Sequence, residues 1–206
     1  RAKMLYEQAT LASPTDTLSR RGKLLALQYD PTTSSAERLE LARAWGTWAI
    51  ELAGGPRSRP STRDITGRKL RIGYVSADLC QHTVGLFARG IFARHQRTEP
   101  FVYKAGPLDD WVTDQIKQSA CVRDVRSLND LELANQVRDD QIDVLVDLSG
   151  HTAGSRLTAF AYRPAPVMVS WLGYFATTGL KYMDGIILDD WHATEGAESG
   201  FVEPII

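Results

Sequence analysis

The chain has 206 residues, 43% apolar and 24% charged, with a net charge of −1; this fits one folded domain that buries a core without disulfides or metal. Its two cysteines, Cys80 and Cys121, make no CxxC pair, which argues against a zinc cage or a dithiol redox site, and two lone thiols fit a reducing cytoplasm. The basic residues are scattered singly, which argues against a nucleic-acid groove, and no apolar run reaches membrane-spanning length.

Three helices are predicted first. Residues 3–12 place Met4, Leu5, Ala9 and Leu11 at near-helical spacing, and Ser13-Pro14 stops them. "TDTLSRRGKLLALQY" carries Leu18, Leu24, Leu25 and Leu27 on a second helix, which ends before Asp30-Pro31. "SSAERLELARAWGTWAIELA" is the clearest, with Ser34 or Ser35 as cap and a broad stripe that includes Leu39, Ala42, Trp45, Ala49 and Leu52. This helical, repeat-like segment spans residues 1–53. Residues 54–68, "GGPRSRPSTRDITGR", form a polar linker and the best domain boundary, and residues 69–206 form a second unit. The halves differ in charge: residues 1–69 hold 12 basic and 7 acidic side chains, and the rest of the chain is correspondingly acidic. That asymmetry implies an internal contact or an exposed partner-binding face.

Beyond the linker, strand-like and helix-like runs alternate. Strands are predicted at 70–76, 101–106, 121–125, 142–148, 167–172 and 185–189. Helices are predicted near 84–95, 110–119, 129–140 and 155–162, the third with a capping box at Ser127 and Asp130. The strands are continuous apolar runs, as expected where both faces are covered. The pattern predicts an α/β, Rossmann-like, doubly wound parallel sheet. The five tryptophans read as packing residues. The chain closes on the apolar "FVEPII" and opens on Arg, which reads as a piece of a longer protein.

In such sheets ligands bind beyond the carboxyl ends of the strands. That rule selects three loops: "SADLCQHTVG" after the first strand, "SGHTAGSR" after the fourth and "GYFATTG" after the fifth. His82 reads either as an imidazole that moves protons near neutral pH or as a cap on the following helix. His151 and Thr152 occupy the matching place after strand four, where they are either ligand contacts or a polar turn. Thr177, Thr178 and Gly179 offer hydroxyls and amides to an anionic or sugar ligand, or form a plain loop. No GxGxxG, GxxxxGK[ST] or Asp-x-Asp occurs, so dinucleotide, P-loop and metal-bound nucleotide-sugar fingerprints are absent. The readings left are an enzyme with its site at these loops, a non-catalytic repeat-linked protein-binding scaffold, and a small-molecule binding domain standing alone.

Taken together, "LRIGYVSADLCQHTVG", "IDVLVDLSGHTAGSRL", "RPAPVMVSWLGYFATTG" and "MDGIILDD" resemble the protein O-GlcNAc transferase family. The resemblance runs from about residue 18 to the end, and is strongest to bacterial members linked to tetratricopeptide repeats, with SPINDLY-like proteins close by. It implies a GT-B architecture of which residues 69–206 are the first Rossmann-like half, the C-terminal donor-binding domain lying outside this chain. It implies an inverting transfer of N-acetylglucosamine from UDP-GlcNAc to Ser or Thr of a polypeptide acceptor, with no cofactor and no metal. It assigns His82 as catalytic and Thr83, His151, Thr152, Thr177, Thr178 and Gly179 as substrate-contacting. Three positions depart from the family: Phe175-Ala176 stand where Pro-Gly is usual, Ser155 where bacterial relatives have Asn, and Gly185 where Tyr is usual.

Overall fold

In the computed structural model, which describes residues 2–206, three helices precede a six-stranded parallel sheet. Helix α1 spans Ala2–Ala12, α2 Thr17–Gln28 and α3 Ser35–Leu52. Ser34 caps α3 by accepting the Glu37 N–H at 3.1 Å. The apolar cluster of α1 is not covered: Met4, Leu5 and Leu11 stay exposed.

The α/β unit then runs β1 Leu70–Ser76, α4 Thr83–Phe92, β2 Thr98–Lys104, α5 Trp111–Ser119, β3 Cys121–Asp124, α6 Asp130–Asp139, β4 Val144–Asp147, α7 Leu157–Phe160, β5 Val167–Trp171 and β6 Gly185–Ile187. All neighbouring strands are parallel, in the order β3-β2-β1-β4-β5-β6. The chain therefore winds outward from β1 to β3, then crosses back to β4 on the other side of β1. That reversal opens a crevice at the carboxyl ends of β1 and β4.

The centres of β1, β2, β4 and β5 are apolar on both faces because successive side chains enter different cores, whereas the edge strand β3, with Arg123 and Asp124, is only half covered. Tyr74, Val102 and Val146 meet α4 and α5 on one face. Val75, Tyr103 and Leu145 point to the other, where α6, α7 and the Leu24, Leu27, Trp45 and Ala49 side chains of α2 and α3 join one continuous cluster. The helical segment thus completes a face of the sheet.

Two local expectations are corrected. The capping box of α6 lies at Asn129 and Glu132, not at Ser127 and Asp130. Asn129 accepts the Glu132 N–H at 2.9 Å, and Glu132 accepts the Asn129 N–H at 2.7 Å. The helix starts two residues later than the Ser127 frame requires, so only Asn129 has its third following amide free to cap. Of the tryptophans, Trp45 is buried and Trp48 and Trp171 half-buried, but Trp111 and Trp191 are exposed, Trp191 at 91%.

The 54–68 segment has no helix or strand, yet its arginines hold it along the amino-terminal edge of the sheet. Arg59 pairs with Asp184 ahead of β6. Arg63 and Arg68 reach Asp143 ahead of β4 at 3.0 and 2.7 Å, and Asp143 also accepts the Arg71 N–H at 2.9 Å. Part of the charge asymmetry is therefore spent on an internal contact. Burial pushes the Asp143 carboxyl up, but the bonds from Arg68, the Arg71 amide and Arg63 outweigh it and hold the pKa at about 2. Asp143→Ala should cost about 3 kcal/mol, since it strands a buried amide and two partly buried guanidiniums. Asp143 is ionised in the fold at pH values where the unfolded chain, near 3.8, has begun to protonate. Its contribution is complete above pH ~4 and disappears as pH falls through about 2, so the gap between wild-type and variant urea midpoints should close in acid.

Candidate functional site

Three loops meet at the carboxyl ends of β1, β4 and β5. Ser76, the last residue of β1, lies 3.3 Å from Ser149 across the crevice through their hydroxyls. A Cβ built on Gly154 would come within 2.5 Å of the Ala77 side chain, and one on Gly173 within 1.8 Å of the Leu148 carbonyl. His151 Nε2 lies 2.9 Å from the Thr178 carbonyl. The loops after β1, β4 and β5 are therefore neighbours, and residues 82, 151 and 178 lie on them.

His82 is exposed and takes an extended backbone (φ −131°, ψ 156°) as the N-cap of α4. Its Nδ1 accepts the Val84 N–H at 3.3 Å. A neutral imidazole that accepts at Nδ1 carries its proton on Nε2, so Nε2–H is a donor at the exposed edge. The capping reading is thus observed, and it leaves the second ring nitrogen of an exposed side chain available. Half-buried Asp78 is its electrostatic neighbour; burial pushes that carboxyl up, and only a protonated His82 would offset part of the rise. Thr83, the first residue of α4, is exposed beside it.

The β4 loop is organised from below by Asp147, which is wholly buried. It accepts the Gly150 N–H at 2.7 Å, the Ser149 N–H at 3.2 Å and the Ser170 hydroxyl at 3.3 Å. Burial pushes its pKa up to about 6 against those bonds. Thr152 is half-buried and donates its hydroxyl to the Ser149 carbonyl at 2.7 Å. His151 faces inward. Burial pushes its pKa down to about 4, with the Thr178 carbonyl opposing, so the ring is neutral near pH 7.

Thr177, Thr178 and Gly179 are at the rim, but their polar groups are also used internally. Thr177 donates its hydroxyl to Glu203 at 2.6 Å, and Glu203 accepts the Thr178 N–H at 2.7 Å. The Thr178 hydroxyl accepts the Leu180 N–H at 3.2 Å, and the Gly179 N–H goes to the Thr177 hydroxyl at 3.1 Å. The same loop carries Phe175 to the surface, where it lines a depression of about 250 Å³ with Trp171, Tyr174, Ile187 and His192. So His82, Thr83, Phe175 and part of Thr152 are accessible, while His151, Thr177 and Thr178 form the layer behind them. Sequence reasoning missed Asp78, Asp147 and Glu203. For Glu203 a signal existed: a lone acid inside the apolar "FVEPII" needs a buried partner. Among the described residues no group of His, Cys, Asp or Glu is placed to hold a metal.

Comparison with known proteins agrees with this geometry. The family model described as Glycosyl transferase family 41 matches residues 52–203. A Solanum lycopersicum protein named "Probable UDP-N-acetylglucosamine--peptide N-acetylglucosaminyltransferase SPINDLY" is 32% identical over 193 residues, which is 90% of this chain and 21% of that protein. The Arabidopsis thaliana protein of the same name is 34% identical over 176 residues, or 82% and 19%. The solved structure of a K341M mutant of Thermobaculum terrenum O-GlcNAc transferase superposes with a TM-score of 0.91 at 35% identity, over 99% of this chain and 40% of that one. The chain thus spans about a fifth of the plant relatives and two fifths of the bacterial structure. With residues 52–203 matched by the family model and both the sheet and the helical segment within the superposition, this chain belongs to glycosyl transferase family 41 and forms a Rossmann-like half of its GT-B fold.

Proposed function

We propose that in the whole protein this chain forms one wall of the cleft of an inverting, metal-independent protein O-linked glycosyltransferase. The donor is a nucleotide sugar, UDP-GlcNAc first, and the acceptor is a Ser or Thr hydroxyl of a polypeptide. The opposite wall is a second Rossmann-like domain that holds most of the nucleotide. Residues 1–53 act as a helical brace continuous with a repeat array, 54–68 as the tether and 69–206 as the catalytic subdomain. Free Cys80 and Cys121, and the lack of any helix long and apolar enough to cross a membrane among the described residues, support a cytoplasmic setting.

The observation that carries this reading is His82: an exposed imidazole at the switch point, oriented by its own helix, whose Nε2 has no partner among the described residues. In the reaction the bond from the sugar's anomeric carbon to the diphosphate oxygen breaks. The acceptor oxygen bonds that carbon from the opposite face, and the hydroxyl proton passes to a base or to a phosphate oxygen. His82 in the tautomer found here donates a hydrogen bond to an oxygen of the donor as charge develops on it. To take a proton at Nε2 it would have to place one on Nδ1 and lose Val84. The geometry therefore favours donor over base.

A second reading, a non-catalytic scaffold, draws support from the inward-facing Thr177 and Thr178 and from Phe175 at the rim. The two are separated by incubating the full-length protein with a Ser/Thr-containing acceptor and several nucleotide sugars, with and without a chelator, and reading modified residues by mass spectrometry. Chelator-insensitive transfer, greatest with UDP-GlcNAc, is expected. An intact second domain with no transfer from any donor would leave the scaffold.

A further inference from the structure

We propose that His151 is a positioning residue: from behind the rim it fixes the Thr177–Gly179 loop and couples that loop to α3. The residue is 1% exposed. A carbonyl can only accept, so the 2.9 Å contact with Thr178 makes Nε2 the protonated nitrogen. That leaves Nδ1 an acceptor with no partner, enclosed in protein. Both nitrogens are thus withdrawn from any substrate, and the residue acts through what it holds.

What it holds comes from two elements far from it in sequence, α3 and the β5 loop. The Trp45 ring of α3 stands edge-on to the imidazole at 4.5 Å and 85°. Tyr174, at the start of the β5 loop, does the same at 5.3 Å and 88°. The ring sits on the β4 loop beside Gly150, where a Cβ would run into Tyr174 at 2.3 Å. Arg21 of α2 adds a bond to the Ser155 carbonyl at 2.7 Å, so the helical segment grips the β4 loop twice. A leucine would fill much of the same space without an unpaired acceptor, but it could not anchor the Thr178 carbonyl. Releasing that carbonyl frees the loop whose other end displays Phe175 at the surface. A displacement there of the order of 1 Å is enough to misalign bound reactants.

The test uses the full-length protein and two substitutions. His151→Gln keeps an N–H able to reach the Thr178 carbonyl; His151→Leu does not. The first readout is native-state amide exchange at residues 174–180, which needs no catalysis. The Leu variant should exchange faster there, and the Gln variant should return toward wild type. The second is transfer kinetics well below the melting temperature, and this arm alone rests on the transferase reading. About a tenfold to hundredfold loss in kcat is expected for Leu, with donor KM little changed and most of the rate restored by Gln. Unaltered exchange in a folded Leu variant, or Gln no better than Leu, overturns the proposal. Should the Leu variant not fold, Trp45→Phe, whose indole nitrogen has no partner to lose, reads the coupling. It should speed exchange at 150–152 and 177–180, and unchanged rates in both loops would refute the link to α3.

Discussion

Replacing His82 with Ala in the full-length protein should lower the transfer rate by about two to three orders of magnitude, the range for losing one aligned hydrogen-bond donor at a developing charge. Stability should hardly move. The side chain is exposed and makes a single long cap bond to Val84, so its loss costs about 1 kcal/mol or less. His82→Asn separates the two duties of the residue. Asparagine is a good N-cap and should keep the start of α4 intact, but it brings no ring nitrogen to the crevice. Initial rates with UDP-GlcNAc and thermal melts on the three proteins decide the matter. Normal stability with a rate as low as Ala assigns the rate to Nε2–H; recovery of the rate by Asn would reduce His82 to a helix cap.

The second large effect is on folding. Gly46 lies in α3 with its α-carbon against the β5 loop. A Cβ there would stand 1.9 Å from the Gly179 carbonyl oxygen, and one on Gly179 would stand 2.0 Å from the Ala42 carbonyl oxygen at a φ of +75°. Backbone meets backbone, so no side chain can yield. Gly46→Ala should cost about 3 kcal/mol or more, because helix and loop must separate by over an ångström. Gly90, inside α4, is the control. Its Cβ would meet only the end of the exposed Arg94 side chain, at 3.4 Å, which is ordinary van der Waals contact. Gly90→Ala should stabilise by roughly 0.5–1 kcal/mol through helix propensity alone. Denaturant melts on the pair should therefore move in opposite directions. Movement of both in the same direction would mean α3 does not touch the loop as described.

Much of the fold could be read in the sequence because the central strands have apolar centres and α2, α3, α5 and α6 each carry a polar side chain as N-cap. "LRIGYVS" becomes β1 over the same seven residues, and the address of His82 follows from strand order alone. The orientation of the other rim residues could not be read. A threonine or histidine in a Gly-rich loop looks the same whether it faces solvent or the interior. Deciding it takes partners remote in the chain: Glu203 for Thr177, 26 positions on, and Trp45 for His151 on a different helix. The α6 cap was misplaced for a local reason, since two polar residues in one short loop offer competing frames. Neither composition nor periodicity showed that the helical segment shares a core with the sheet.

The arginines of residues 54–68 bear on how the protein meets a protease. Four of them, in a stretch without regular structure, make this segment the obvious target for trypsin. Yet Arg59 is engaged by Asp184, Arg63 and Arg68 by Asp143, and the Arg57 N–H by the Tyr182 hydroxyl at 3.0 Å. A digesting enzyme must draw each guanidinium into its own specificity pocket and straighten the chain around it. While the lower edge of the sheet stays folded, these contacts oppose cleavage, most at half-buried Arg63 and Arg68 and least at exposed Arg57 and Arg59.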